Sequence, residues 1–135
     1  QVNMTGSGTL LDPYVIWDIN DLQAMASGIY APNAYYELGC DIDASVTSTW
    51  NWNAGRGVFE GFIPRAFAGN FDGRNYPTSN LYENWTAGEG GLLVGLFSSL
   101  ITAGAVKNVR IVNANITGYA VGDNAPVMFT CLPYK

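Results

Sequence analysis

Residues 67–81 read FAGNFDGRNYPTSNL, and after a short break the chain continues with VGLF (94–97) and AVKNVRIVNANITG (105–118). Each apolar run is only a strand long and ends at Gly, Asn or Asp. None is long enough for a helix, so the pattern calls for brief β-strands joined by tight turns. The expected architecture is all-β and coiled. Gly73, Gly91, Gly95, Gly104, Gly118 and Gly122 mark sharp turns or close packing. Asn80, Asn108, Asn113 and Asn115 sit where side-chain amides can bond the backbone at corners. Recurrence of this kind suits stacked coils, each burying its face against its neighbours.

Along the chain, residues 1–13 form a Gly/Ser/Thr/Pro-rich extended arm, 14–122 the strand-bearing domain, and 123–135 a tail or cap. One short helix is expected over 19–26, with Asp18 or Asn20 as N-cap, Ile19, Leu22, Ala24 and Met25 apolar, and Gly28 ending it. Strands are expected over 14–17, 35–38, 68–71, 78–82, 92–97, 106–112 and 116–119, with Asp41 and Asp43 on the face opposite Ile42. Residues 44–64, rich in Ser, Thr, Asn, Gly and Trp, break the pattern and read as a long excursion of the kind that often binds.

Composition narrows the function. The chain has 135 residues, 48% hydrophobic, enough for one core, but only 13% are charged. That is about half the usual quarter, and it gives a polar, weakly charged surface like those of many extracellular β-proteins. The net charge of −5 comes without any Lys/Arg cluster, so phosphate neutralisation, and with it a nucleic-acid partner, is not expected. No run of about 18 apolar residues is present to span a bilayer. The first residue is Gln1 rather than Met, consistent with a removed leader or an excerpt of a longer polypeptide. No cofactor or metal site is expected, since histidine is absent and neither cysteine has a CxxC partner. Cys40 and Cys131 either close a long loop as a disulfide or remain two small buried side chains.

The ordered blocks resemble the right-handed parallel β-helix family with GLUG-type repeats. The likeness rests on Tyr35-Tyr36-Glu37-Leu38 with Asp41-Ile42-Asp43, then Phe67-Ala68-Gly69-Asn70-Phe71-Asp72-Gly73 with Ser79-Asn80-Leu81. Gly95-Leu96-Phe97 and Val106-Lys107-Asn108-Val109-Arg110-Ile111 complete it. Pro77 and Ser98 depart from the family pattern, and the repeats stop after Gly122. The resemblance implies a short right-handed parallel β-helix with the N-terminal helix as cap. It also implies an extracellular, cell-surface or virus-associated module without catalytic residues of its own. An open end of such a stack must be covered. Met128, Phe129, Leu132 and Tyr134 form an apolar tail that can fold back as a cap, with Cys131 bonded to Cys40, or dock on a neighbouring subunit.

Several residues offer chemistry. Asp41 and Asp43, roughly 6.6 Å apart along an extended strand, approach the spacing of a glycosidase pair, but the favoured reading is that they mark a corner, accept backbone N–H bonds or hold a structural cation. Asp72 before Gly73 reads as an Asx-turn. Arg56, Arg65, Arg74, Lys107 and Arg110 are the cations a polysaccharide lyase would draw on, or are solvated surface charges. Trp50 and Trp52 would share a face if their stretch were extended, forming a platform for a sugar or a neighbour, or else a hydrophobic plug, and Arg56 and Trp85 are further contact candidates. Three stretches, beginning at Asn3, Asn84 and Asn115, match the glycosylation sequon. The expected function is a non-enzymatic structural or adhesive module on a virus particle or cell surface, contacting glycans or copies of itself. The alternatives are a carbohydrate-active enzyme and a pure assembly subunit.

Overall fold

A computed structural model of the chain describes residues 2–27, 31–86, 92–101, 104–119 and 127–130. The strands in order are β1 (Tyr14–Ile16), β2 (Tyr35–Leu38), β3 (Ile42–Asp43), β4 (Trp52–Asn53), β5 (Val58–Phe59), β6 (Ala66–Phe67), β7 (Asn70–Asp72) and β8 (Pro77–Ser79). They continue with β9 (Tyr82–Thr86), β10 (Leu92–Gly95), β11 (Ser99–Leu100), β12 (Ala105–Lys107), β13 (Arg110–Val112), β14 (Asn115–Tyr119) and β15 (Val127–Thr130). One α-helix, α1 (Ile19–Ala26), follows β1, and a short 3-10 helix (Ser45–Thr49) follows β3. The fold is all-β in class.

The ladders are small and, apart from the β4–β5 hairpin, parallel. They run β1-β2-β7-β12, β13-β8-β3, β14-β9, β11-β6 and β10-β15. Tyr36 pairs with Phe71 and Phe71 with Val106, an advance of 35 residues each time. The advance is 33 residues from Thr78 to Ile111 and from Glu83 to Ile116, and 36 from Ile42 to Thr78. Parallel neighbours need a long crossover: β1 reaches β2, 22 residues on, through α1, whereas the crossovers from β2 to β7 and from β7 to β12 carry further short strands.

Asparagines turn the corners. Asn80, Asn108 and Asn113 have φ of 65°, 56° and 54°, the left-handed region that Asn tolerates better than most residues. The strands expected over 78–82 and 106–112 are therefore each broken in two, at Asn80 and at Asn108. The corners also stack: Asn113 Nδ2 donates to Asn80 Oδ1 at 2.6 Å, and Asn108 Nδ2 to Asp72 Oδ1 at 3.0 Å. Gly73 sits where a Cβ would lie 2.5 Å from the Asn108 carbonyl oxygen, so the two passes approach closely only because it has none. Pro77 opens β8, the strand position that asks least of a missing N–H.

The core is an aromatic and aliphatic column. Tyr36, Phe67, Phe71 and Phe97 are buried, with Phe67 stacked on Phe97 at 4.3 Å and Phe71 edge-on to Phe97 at 6.2 Å. Helix α1 adds Ile19, Leu22, Met25 and Ala26 to this core. Asp18 is its N-cap, accepting from the Asp21 N–H at 2.9 Å. Ser27 is the C-cap residue, and the expected stop at Gly28 lies outside the described residues.

Candidate functional site

The 44–64 segment folds onto the body as well as away from it. Ala44, Thr47 and Phe62 are fully buried. Thr47 Oγ1 accepts the Tyr82 N–H at 2.9 Å, and the Phe62 N–H donates to the Tyr82 carbonyl at 2.9 Å. Between these anchors stands the β4–β5 hairpin, pinned by Asn51 Nδ2 to the Gly61 carbonyl and Asn53 Nδ2 to Glu60 Oε2.

The two tryptophans of this segment do not share a face. Asn51 between them has φ of 58°, so the stretch is not extended and period-two alternation is lost. Trp50 packs against the core, whereas Trp52 is 57% exposed and rests edge-on against Phe59 at 4.9 Å. Arg56 reaches back to β9, donating to the Asn84 carbonyl at 2.8 Å and to Asn84 Oδ1 at 2.9 Å, and pairs with Glu60 at 3.4 Å. Trp85 is half-buried, its Nε1 donating to the Phe62 carbonyl at 2.8 Å. Of the proposed contact residues, Trp52 is thus the one turned outwards, and Arg56 and Trp85 hold the hairpin to the body.

The carboxylates sit at corners. Asp43 Oδ1 accepts the Ser45 N–H at 2.9 Å, and that backbone bond, ahead of the Ser45 side chain, holds the Asp43 carboxyl below its usual range. Asp72 Oδ1 accepts the Arg74 N–H at 2.8 Å, forming the Asx-turn. Asp41 is exposed beside β3. Among the described residues no three Asp, Glu, Cys or His side chains gather as a metal site. Cys40 Sγ donates to the Trp17 carbonyl at 3.3 Å; burial first, then the Asp41, Asp18 and Asp21 carboxylates, push its thiol pKa up. Cys131, Leu132 and Tyr134 lie outside the described residues. Met128 and Phe129 belong to β15, which pairs in parallel with β10.

Sequence reasoning missed two features. Glu83, in β9, is fully buried; Oε1 accepts the Gly95 N–H at 3.0 Å, and Oε2 has no partner among the described residues. Burial pushes its pKa up to about 8, against the smaller opposing effect of the Gly95 N–H. Period-two alternation from buried Leu81 would have placed Glu83 inwards. The second is a cleft of about 260 Å³ on the outer face of the β2-β7-β12 ladder, walled by Leu10 of the arm. Tyr35, Glu37, Asn70, Asp72 and Lys107 line it. Glu37, Asp72 and Lys107 are in register on successive strands, so the floor carries acceptors and a donor in one row. Such a floor suits a hydroxyl-rich ligand.

The chain is similar to part of halomucin from Haloquadratum walsbyi, 41% identical over 119 residues covering 84% of this chain. It spans about 1% of the length of that relative. No protein-family model matches the chain, so the GLUG likeness rests on the quoted motifs alone, and no solved structure matches it. No helix among the described residues is long and apolar enough to cross a membrane.

Proposed function

We propose that the chain is a structural and adhesive module of an extracellular surface polypeptide, folded as a short right-handed parallel β-helix and serving no catalytic step. The observation that carries this reading is the 41% identity across 84% of the chain to a stretch amounting to 1% of halomucin. A segment so small in so long a protein is a module, and the relative's name is that of a mucin, a class of secreted or surface glycoprotein. Parallel ladders advancing by 33 to 36 residues support the β-helix, and right-handed crossovers are the rule for parallel strands. Asp43 and Asp72 accept backbone N–H groups two residues on, the work of corner residues rather than of an acid/base pair.

The contact residues of this module are Trp52 on its anchored hairpin and, separately, the side chains of the cleft beside the arm, and its partners are glycans or neighbouring surface subunits. Surface location is tested by labelling intact producing cells with a membrane-impermeant amine reagent. Labelled Lys107 before lysis is the expected result; labelling only after lysis would overturn the reading. On a glycan panel, Trp52→Ala is expected to weaken binding at least tenfold. Equal binding by the variant removes Trp52 from the contact face.

A further inference from the structure

We propose that Asn115 carries an N-linked glycan in the folded protein and that Asn84 does not. This rests on the extracellular reading above, because transferases that recognise the sequon act on the non-cytoplasmic side of the membrane.

The three sequons stand in different surroundings. Asn115 and Thr117 are both exposed, two residues apart on β14, while Ile116 between them packs against the core. Alternation therefore turns the acceptor amide and the hydroxyl outwards together. The backbone ties of this segment lie within the sheet rather than over its outer face, the Asn115 N–H donating to the Leu81 carbonyl at 2.8 Å and β14 pairing with β9. Beside Asn115 lies an open cleft of about 360 Å³ lined by Ser45, Ser48, Asn80, Tyr82 and Asn113. Its amides, hydroxyls and aromatic ring are suited to lie against the first sugar.

Asn84 is the opposite case. Its Oδ1 and its carbonyl both accept from Arg56, its N–H donates to the Glu60 carbonyl at 2.9 Å, and the sequon hydroxyl, Thr86 Oγ1, is buried. Its Nδ2, the atom a glycan would take, donates to the Tyr82 hydroxyl at 3.5 Å, so a glycan there would replace that contact and stand against the Arg56 guanidinium held at Oδ1. At Asn3 the backbone N–H is bound by Asp21, and the Thr5 hydroxyl accepts from Trp17 Nε1 at 3.0 Å.

In the transfer, Asn115 Nδ2 bonds the anomeric carbon of an oligosaccharide carried on a lipid diphosphate. The carbon–oxygen bond to the diphosphate breaks, the diphosphate leaves with that electron pair, and an amide proton passes to a base of the transferase. The added group is bulky and solubilising, as sequon glycans are.

The test is to secrete the chain behind a cleavable leader from a glycosylating eukaryotic cell and map the soluble, folded product by peptide mass. Because the leader forces export, failure here is separable from failure of the surface reading. The expected result is a glycan on Asn115 in most molecules and none on Asn84. Asn115→Gln and Thr117→Ala should each lose that glycan and keep the circular-dichroism spectrum of the parent. An unmodified Asn115 in the folded product, or a glycan on Asn84, would overturn the inference.

Discussion

The two edges of the stack are finished differently. At the first, β1 is bridged by the arm through Thr5 and Val15 and packed by α1, and β9 is covered by the 3-10 helix and the Glu60–Phe62 backbone. Gln23 of α1 adds a reciprocal pair of bonds to the Ile63 backbone, both at 2.9 Å. At the far edge of the ladders that end in β11 and β13, apolar side chains meet solvent. The inward column of the β3-β8-β13 ladder records the gradient: Ile42 is 1% exposed, Thr78 3% and Ile111 37%. Leu100 and Ile101 are exposed at 41% and 46%. One edge is thus covered by chain preceding and following the first strands, while at the other, among the described residues, apolar side chains remain exposed.

Substitutions can break or sharpen this contrast. The largest effect is expected at the sealed edge: Leu22→Ala, at a fully buried position, should lower unfolding free energy by about 2–5 kcal/mol, read from urea denaturation. A cost under about 1 kcal/mol would mean that α1 is a dispensable appendage.

Glu83 ties the interior to pH. Its folded pKa of about 8 lies above the ordinary 4.5, so between those values the unfolded chain releases a proton that the folded chain retains. Stability from this group is full below about pH 4.5 and declines as pH rises to about 8, by on the order of 3 kcal/mol between pH 5 and pH 8. Glu83→Gln should flatten that slope; an unchanged slope would assign it to other groups.

Next in size is Asp21, fully buried and accepting the backbone N–H groups of Asn3 and Trp17. Asp21→Ala should cost about 1–3 kcal/mol by orphaning those donors, and should speed proteolysis of the arm. The smallest effect is expected at the open edge, where Ile111→Ser should change stability by about 1 kcal/mol or less. A loss as large as that of Leu22→Ala would show that the far edge is as tightly packed as the near one.

Much of this was readable in local pattern. Asp18, the apolar spacing of Ile19, Leu22 and Met25, and the short strand at Tyr35–Leu38 carry their own signals. Asparagines near the strands announced corners, but not that Asn80 and Asn108 would enter the left-handed region and divide the expected strands. The two-residue strands β6 and β11 left no trace in periodicity, because two residues are too few to alternate. Trp50 and Trp52 look equivalent in sequence; one residue, Asn51 at positive φ, sends the first to the core and the second to solvent.

The sequence by itself determined the all-β class, the short helix, the turn-rich punctuation and the low charge density, because each follows from composition or from residues within a few positions of one another, whereas the choice of Asp18 over Asn20 as cap came from the structure. Only the tertiary structure decided which side chains are inside and which sequon is reachable. Glu83 is buried beneath contacts with Gly95 and a backbone pairing with Gly61, while Asn84 is held by Arg56, 28 residues away. These partners lie 12 to 28 residues away in sequence, and the parallel neighbours of β7, β8 and β9 33 to 36 residues away, so no local window contains the groups that bury a side chain or hold it.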